Sequence, residues 1–140
     1  MRIFVRKSKK DYINAQEVFW IVNEGMKFFD SLFNCPFPFD KYDMIYCPEY
    51  RITAMENVGA VTFTDRLLKP QDEQTSQNDI IHYSVHMHEL SHMWFGDLTT
   101  MKWWNDLWLK ESFADFLRVS AMTEMPSIAE KYPNCEIIYL

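Results

Sequence analysis

The sequence predicts an α+β domain. Three observations carry that reading. Short runs of β-type residues gather in the first half, at Ile3 to Val5, Tyr42 to Cys47 and Val58 to Thr64. Apolar residues recur at three- and four-residue steps from Tyr12 to Phe33, and two further helical segments follow the strands. The sequence holds no repeat and no low-complexity segment. Strands followed by helices, without regular alternation, belong to the α+β class.

Each element has its own warrant. The strand at Ile3 to Val5 begins almost at residue 1, which reads as a chain cut from something longer. In the first helix, Phe19, Val22, Met26, Phe29 and Phe33 form one stripe, and Val18, Ile21, Phe28 and Leu32 form a second. Two stripes imply burial on more than one side. Asp11 or Asn14 supplies an N-cap, and Pro36 and Pro38 set the end near Asn34. The strand from Tyr42 stops at Pro48, and residues 51–57 are less regular. From Val58, Val61 and Phe63 alternate with Thr62 and Thr64, the period of a half-buried strand. The polar stretch 69–78 reads as a loop around Pro70. Ser76 and Asp79 resemble a capping box, which starts a helix from about Gln77 to Phe95 with Gly96 as terminator. Asn105 or Asp106 caps the last helix, which ends before Pro126, and Ser127 to Leu140 shows no pattern.

Composition narrows the function. A chain of 140 residues with 48% hydrophobic and 16% aromatic residues makes one packed domain. The formal charge of −6 argues against a nucleic-acid surface, which needs clustered Lys and Arg. No run of 18 apolar residues exists to span a membrane, and Met1 to Arg6 lacks the apolar core of a signal peptide. Cys35, Cys47 and Cys135 lack the spacing of a cysteine metal site, and their odd number slightly favours a reducing, cytoplasmic setting.

The chemistry sits between His88 and Glu111. On a helix, His88 and His92 are offset by only about 40° and present their rings to one point. Glu89, rotated by about 100° from His88, is left free to act on a water there. Two histidines enclosing a glutamate in this way are the zinc hydrolase signature. A catalytic zinc takes three protein ligands and keeps one position open. Glu111, 19 positions past His92 on the next helix, is the chosen third ligand; Glu130 and Glu136 follow the helix-ending Pro126 and fit less well. Asp115, one turn after Glu111, is a candidate to orient a zinc-ligating histidine. His82 and His86 form a second pair without a glutamate between them and read as surface or packing residues. Trp103, Trp104 and Trp108 read as core, with a substrate pocket wall as the alternative.

The run His88-Glu89-Leu90-Ser91-His92-Met93-Trp94-Phe95-Gly96-Asp97, followed by Trp103-Trp104-Asn105-Asp106-Leu107-Trp108-Leu109-Lys110-Glu111, resembles the gluzincin zinc aminopeptidases of the aminopeptidase N and puromycin-sensitive type. Upstream, Thr53-Ala54-Met55-Glu56-Asn57 resembles that family's Gly-Ala-Met-Glu-Asn exopeptidase motif, with Glu56 32 positions before His88. The resemblance covers about residues 10 to 125. It implies the core of a thermolysin-like catalytic domain, a small sheet with zinc-binding helices, cut at both ends. It implies one zinc ion on His88, His92 and Glu111, with Glu89 activating the hydrolytic water and passing its proton to the leaving amine. Glu56 would pair with the free α-ammonium of a peptide, which rewards a cationic N-terminus and excludes internal peptide bonds. Ala54, Met55 and Asn57 complete the substrate-binding motif, the first two through backbone groups as in an added strand. The implied partners are therefore peptides with a free N-terminus. Relatives of this type occur in the cytosol and as membrane-anchored ectodomains, which leaves the compartment open.

The sequence departs from the family pattern in places. Thr53 and Ser112 stand where glycine is usual, and Val58 where tryptophan is usual. The tyrosine that stabilises the tetrahedral intermediate in this family is expected beyond Leu140, since Tyr132 and Tyr139 come too soon. A catalytically incomplete zinc-binding fragment is the alternative reading. An epoxide hydrolase of the leukotriene type on the same scaffold has no residue in its favour.

Overall fold

The computed structural model describes residues 1–132 of the chain. Its mixed helix and sheet content fits the α+β class. Four strands, β1 (Arg2–Phe4), β2 (Asp43–Cys47), β3 (Ala54–Met55) and β4 (Ala60–Thr64), form one sheet in the order β1-β2-β4-β3. β1 and β4 flank β2 in parallel, and β3 pairs antiparallel with β4. The register places Met44 opposite Val61 and Tyr46 opposite Phe63, so four buried side chains make one apolar face.

Buried side chains of three long helices join that face in one core. α1 (Ala15–Phe33) crosses over between β1 and β2, as a parallel pair requires. Asn14 caps it by accepting from the Glu17 N–H, and Asn34 closes it at φ 47°, a left-handed conformation that asparagine tolerates. Val18, Ile21, Val22 and Phe29 are buried together, drawing on both predicted stripes. α2 (Ser76–Ser91) lies against α1 and α3 (Leu107–Glu124), and the short α4 (Pro126–Lys131) follows. Met87 and Leu90 of α2, then Met93 and Trp94, fill the space between sheet and helices.

The structure differs from the sequence expectations at several boundaries. Residues 7–12 form a 3-10 segment, and α1 begins at Ala15 rather than Tyr12. The irregular stretch 51–57 contains β3, too short to show a period. Thr75, not Ser76, caps α2, its side chain accepting from the Asn78 N–H. α2 stops at Ser91, four residues before the expected Phe95. Beyond it the backbone tightens into i to i−3 bonds, Met93 to Leu90 and Trp94 to Ser91, and Gly96 makes the turn at φ 131°. This brings Trp94 against Phe29 and Phe33 and lets its indole N–H donate to the Cys35 carbonyl. Asp106 takes the N-cap position of α3 without a side-chain cap bond. α4 falls in the stretch without a pattern, with Pro126 in its first turn, where proline costs no hydrogen bond. Cys135, Glu136 and Tyr139 lie outside the described residues.

Candidate metal centre

Two helices build the site. α2 carries His88, Glu89 and, at its C-cap, His92; α3 carries Glu111 and Asp115. His88 Nε2 and His92 Nε2 are 3.1 Å apart, and Glu111 Oε2 lies 3.4 Å from the first and 3.6 Å from the second. A zinc ion about 2.0–2.1 Å from three tetrahedral donors sets those donors about 3.3 Å from one another. The triangle fits that size.

The other nitrogen of each ring is already engaged. His92 Nδ1 is 2.9 Å from the Phe95 carbonyl, and His88 Nδ1 is 3.1 Å from Asp115 Oδ1. Each contact places the ring proton on Nδ1 and leaves Nε2 as a lone pair. Two lone pairs and a carboxylate oxygen then converge with no donor among them. Three acceptors in such contact repel one another unless a cation sits between them, so the residues fit a metal. The early end of α2 has a purpose here: only after the chain leaves the helix does the Phe95 carbonyl swing back to the His92 ring.

Burial and charge tune the neighbours. Burial, then the nearby Glu56 and Glu111, pushes the Glu89 carboxyl up to about 8. A cation among the ligands counters this and favours the ionised form. Glu89 Oε2 is buried and has no hydrogen-bond partner among the described residues, so it is available to a molecule in the cleft. Burial also raises Glu56, but the Lys110 hydrogen bond, its own backbone N–H and His92 together hold it below its usual range. Burial, then His92, lowers His88 and keeps its ring neutral, the form that binds metal.

Glu56 follows β3 directly, and its carboxylate comes within 4.8 Å of ligand atoms of Glu89 and His92. Ala54 lines a cavity of about 590 Å³ with Ile80, Ile81, Val85, His88 and Glu89. Met55 lies on the same edge strand with its side chain exposed. Asn57 turns to the sheet instead, donating from Nδ2 to Thr62 Oγ1 at 3.0 Å.

The tryptophan expectation is corrected. Trp103, Trp104 and Trp108 are 66%, 69% and 62% exposed and line neither core nor cleft among the described residues. They precede or open α3, on a flank that no described element covers. For His82 and His86 the packing alternative holds: both are buried and both meet the Tyr46 hydroxyl, at 2.6 and 2.8 Å. Three further residues were missed. Arg118 donates from Nε to Asp115 Oδ1 at 2.8 Å and from Nη1 to Ser84 Oγ at 2.7 Å, tying α3 to α2 beside His88. Lys110 pairs with Glu56 and Glu111. The spacing held a signal for two of them, since Arg118 follows Asp115 by three and Ser84 precedes His88 by four.

Residues 19–136 match the Peptidase family M1 domain. The chain belongs to peptidase family M1. Aminopeptidase N of Streptomyces lividans is 39% identical over 132 residues, 94% of this chain and 15% of that protein. Tricorn protease-interacting factor F2 of Thermoplasma acidophilum is 45% identical over 100 residues, 69% of this chain and 12% of that protein. Leucyl aminopeptidase of Saccharolobus solfataricus is 39% identical over 105 residues, 75% of this chain and 13% of that protein. The M1 chain thus spans about an eighth to a seventh of the length of these relatives.

Proposed function

We propose that residues 1–140 are part of the thermolysin-like catalytic domain of a zinc-dependent aminopeptidase, which releases N-terminal residues from peptides. The observation that carries this reading is the convergence of His88, His92 and Glu111 on one point, with the carboxylates of Glu89 and Glu56 beside it. Membership of the M1 family and relatives named aminopeptidases support it.

His88 Nε2, His92 Nε2 and Glu111 Oε2 would hold the ion, and Asp115 and the Phe95 carbonyl would fix the two rings. Zinc, when bound, supplies a Lewis acid that polarises the scissile carbonyl and lowers the pKa of water. Glu89 takes a proton from the attacking water on its carboxylate and later gives it to the leaving amine nitrogen. Glu56 pairs with the α-ammonium of the substrate and so fixes the scissile bond one residue from the N-terminus. Ala54 and Met55, on the edge strand β3, present backbone groups along which an extended peptide can lie. Asn57 supports the motif from behind through Thr62. The partners are peptides with a free amino end. Among the described residues no helix is long and apolar enough to cross a membrane.

The test is hydrolysis of an aminoacyl-arylamide by the full-length parent protein. Activity should vanish with a chelator, return with zinc, and fall about 10²- to 10⁴-fold in kcat for Glu89→Gln. Chelator-insensitive cleavage, or full activity in Glu89→Gln, overturns the reading.

A further inference from the structure

The carboxylate assigned to the substrate's ammonium group is already in contact with an ammonium group of the chain itself. Lys110 Nζ pairs with Glu56 Oε1 and, at 2.9 Å, with Glu111 Oε1. Both side chains of the Lys110–Glu56 pair are largely buried, 15% and 11% exposed. The stem of Lys110 reaches there by passing over Gly96. A Cβ at that position would lie 3.2 Å from both Lys110 Cδ and His92 Nδ1. The reach from α3 across to β3 is therefore built into the backbone.

We propose that Lys110 acts as an internal placeholder for the α-ammonium of the substrate, and so sets how strongly the amino end of a peptide is bound. This rests on the reading of Glu56 given above. A primary ammonium on a carboxylate is the same charge-assisted hydrogen bond whether it comes from a lysine or from a peptide N-terminus. An incoming N-terminus must take Glu56 from Lys110. Lys110 has a second acceptor in Glu111 Oε1, so it can give up one partner and keep the other. The exchange keeps one cation on Glu56 throughout. Buried between Glu89 and His92, that carboxylate is costly to leave unpaired. The consequence is a substrate affinity lower than the bare pocket would give, with the chemical step unaffected.

The experiment uses the full-length parent protein, loaded with zinc and checked for metal content. Steady-state kinetics on an L-leucyl-arylamide are compared for the parent, Lys110→Gln, Lys110→Met and Glu56→Gln. Lys110→Met keeps the apolar stem over Gly96, so it serves should Lys110→Gln fold poorly. The expected result is a KM lower by about three- to tenfold in either lysine variant, with kcat changed less than twofold. The inhibition constant of n-butylammonium should fall by the same factor. An unchanged or raised KM in a zinc-loaded lysine variant overturns the placeholder. Glu56→Gln should raise KM in the parent background. If it leaves KM unchanged, the ammonium site itself is misassigned, a failure separate from that of Lys110.

Discussion

His92 shows how much one residue can be asked to do. Its Nε2 faces His88 and Glu111, its Nδ1 meets a backbone carbonyl, and its own N–H closes the last turn of α2. His88 depends in the same way on Asp115, which Arg118 holds in place. Removing Asp115 frees the His88 ring to rotate and to take the other tautomer. Asp115→Ala should therefore weaken zinc binding by about 10- to 100-fold, measured by competition with a chromophoric chelator. Unchanged affinity would show that the aspartate only solvates the helix surface. At this scale the sequence was eloquent where chemistry depends on side chains at helical spacing. The intervals of His88, Glu89, His92, Glu111 and Asp115 anticipated that the fold brings them together. It was silent on the Phe95 carbonyl, because every residue carries one and only the bend after Ser91 selects which one acts. It was equally silent on Lys110, whose partner Glu56 is 54 residues away.

The elements were legible in existence and less so in extent. Periodicity found α1, since apolar stripes are imposed by burial, and cap and breaker residues found α2 and α3. The end of α2 was misplaced, because the residues past Ser91 are as apolar as those within it. Their path is settled by packing of Trp94 rather than by propensity. β3 has two residues and exists only through its pairing with β4. The contact of α1 with α2 was not readable either, yet it is close. A Cβ on Gly25 would stand 2.6 Å from Met87 Sδ and 2.9 Å from Leu90 Cδ2. Ordinarily alanine stabilises a helix interior by about 1 kcal/mol relative to glycine. Overpacking costs about 1–3 kcal/mol and wins here because Met87 and Leu90 are themselves fully buried. Gly25→Ala should lower stability to urea by the difference, up to about 2 kcal/mol. Since Met87 and Leu90 adjoin His88 and Glu89, zinc affinity should fall with it. A more stable variant would mean that α1 and α2 can move apart freely.

At the scale of the whole molecule, the buried polar cluster under β2 makes stability depend on pH. His82 faces the Tyr46 hydroxyl, the His86 ring and the Tyr83 ring. Burial lowers His82 to about 4, so the folded state holds it neutral where the unfolded chain would protonate it. Its contribution is full above about 6.5 and is lost as pH falls toward 4, on the order of 2 kcal/mol by pH 5. Glu89 and Asp97, raised to about 8 and about 6 chiefly by burial, act with the opposite sign over the same range. The histidine's share is therefore the difference between parent and His82→Gln. Urea midpoints at pH 7 and pH 5 should fall further in the parent than in the variant. Equal falls would remove His82 from the account. The fold class itself was plain from the order of strands and helices. The strand order β1-β2-β4-β3 was not, since parallel neighbours are set by crossovers that leave no local trace. Nor was the exposure of Trp103, Trp104 and Trp108: an aromatic cluster reads as interior until the faces of its helix are known.

The three atoms proposed to hold the ion come from two helices that the chain joins through residues 92–106. An ion shared between them would act as a rivet, and by mass action it would bind the folded arrangement far better than the unravelled one. At a free metal concentration a hundred times the dissociation constant, such a rivet adds about 2.7 kcal/mol to the folding free energy. With the proposed ion bound, the melting point of this protein would become a gauge of the metal supply around it.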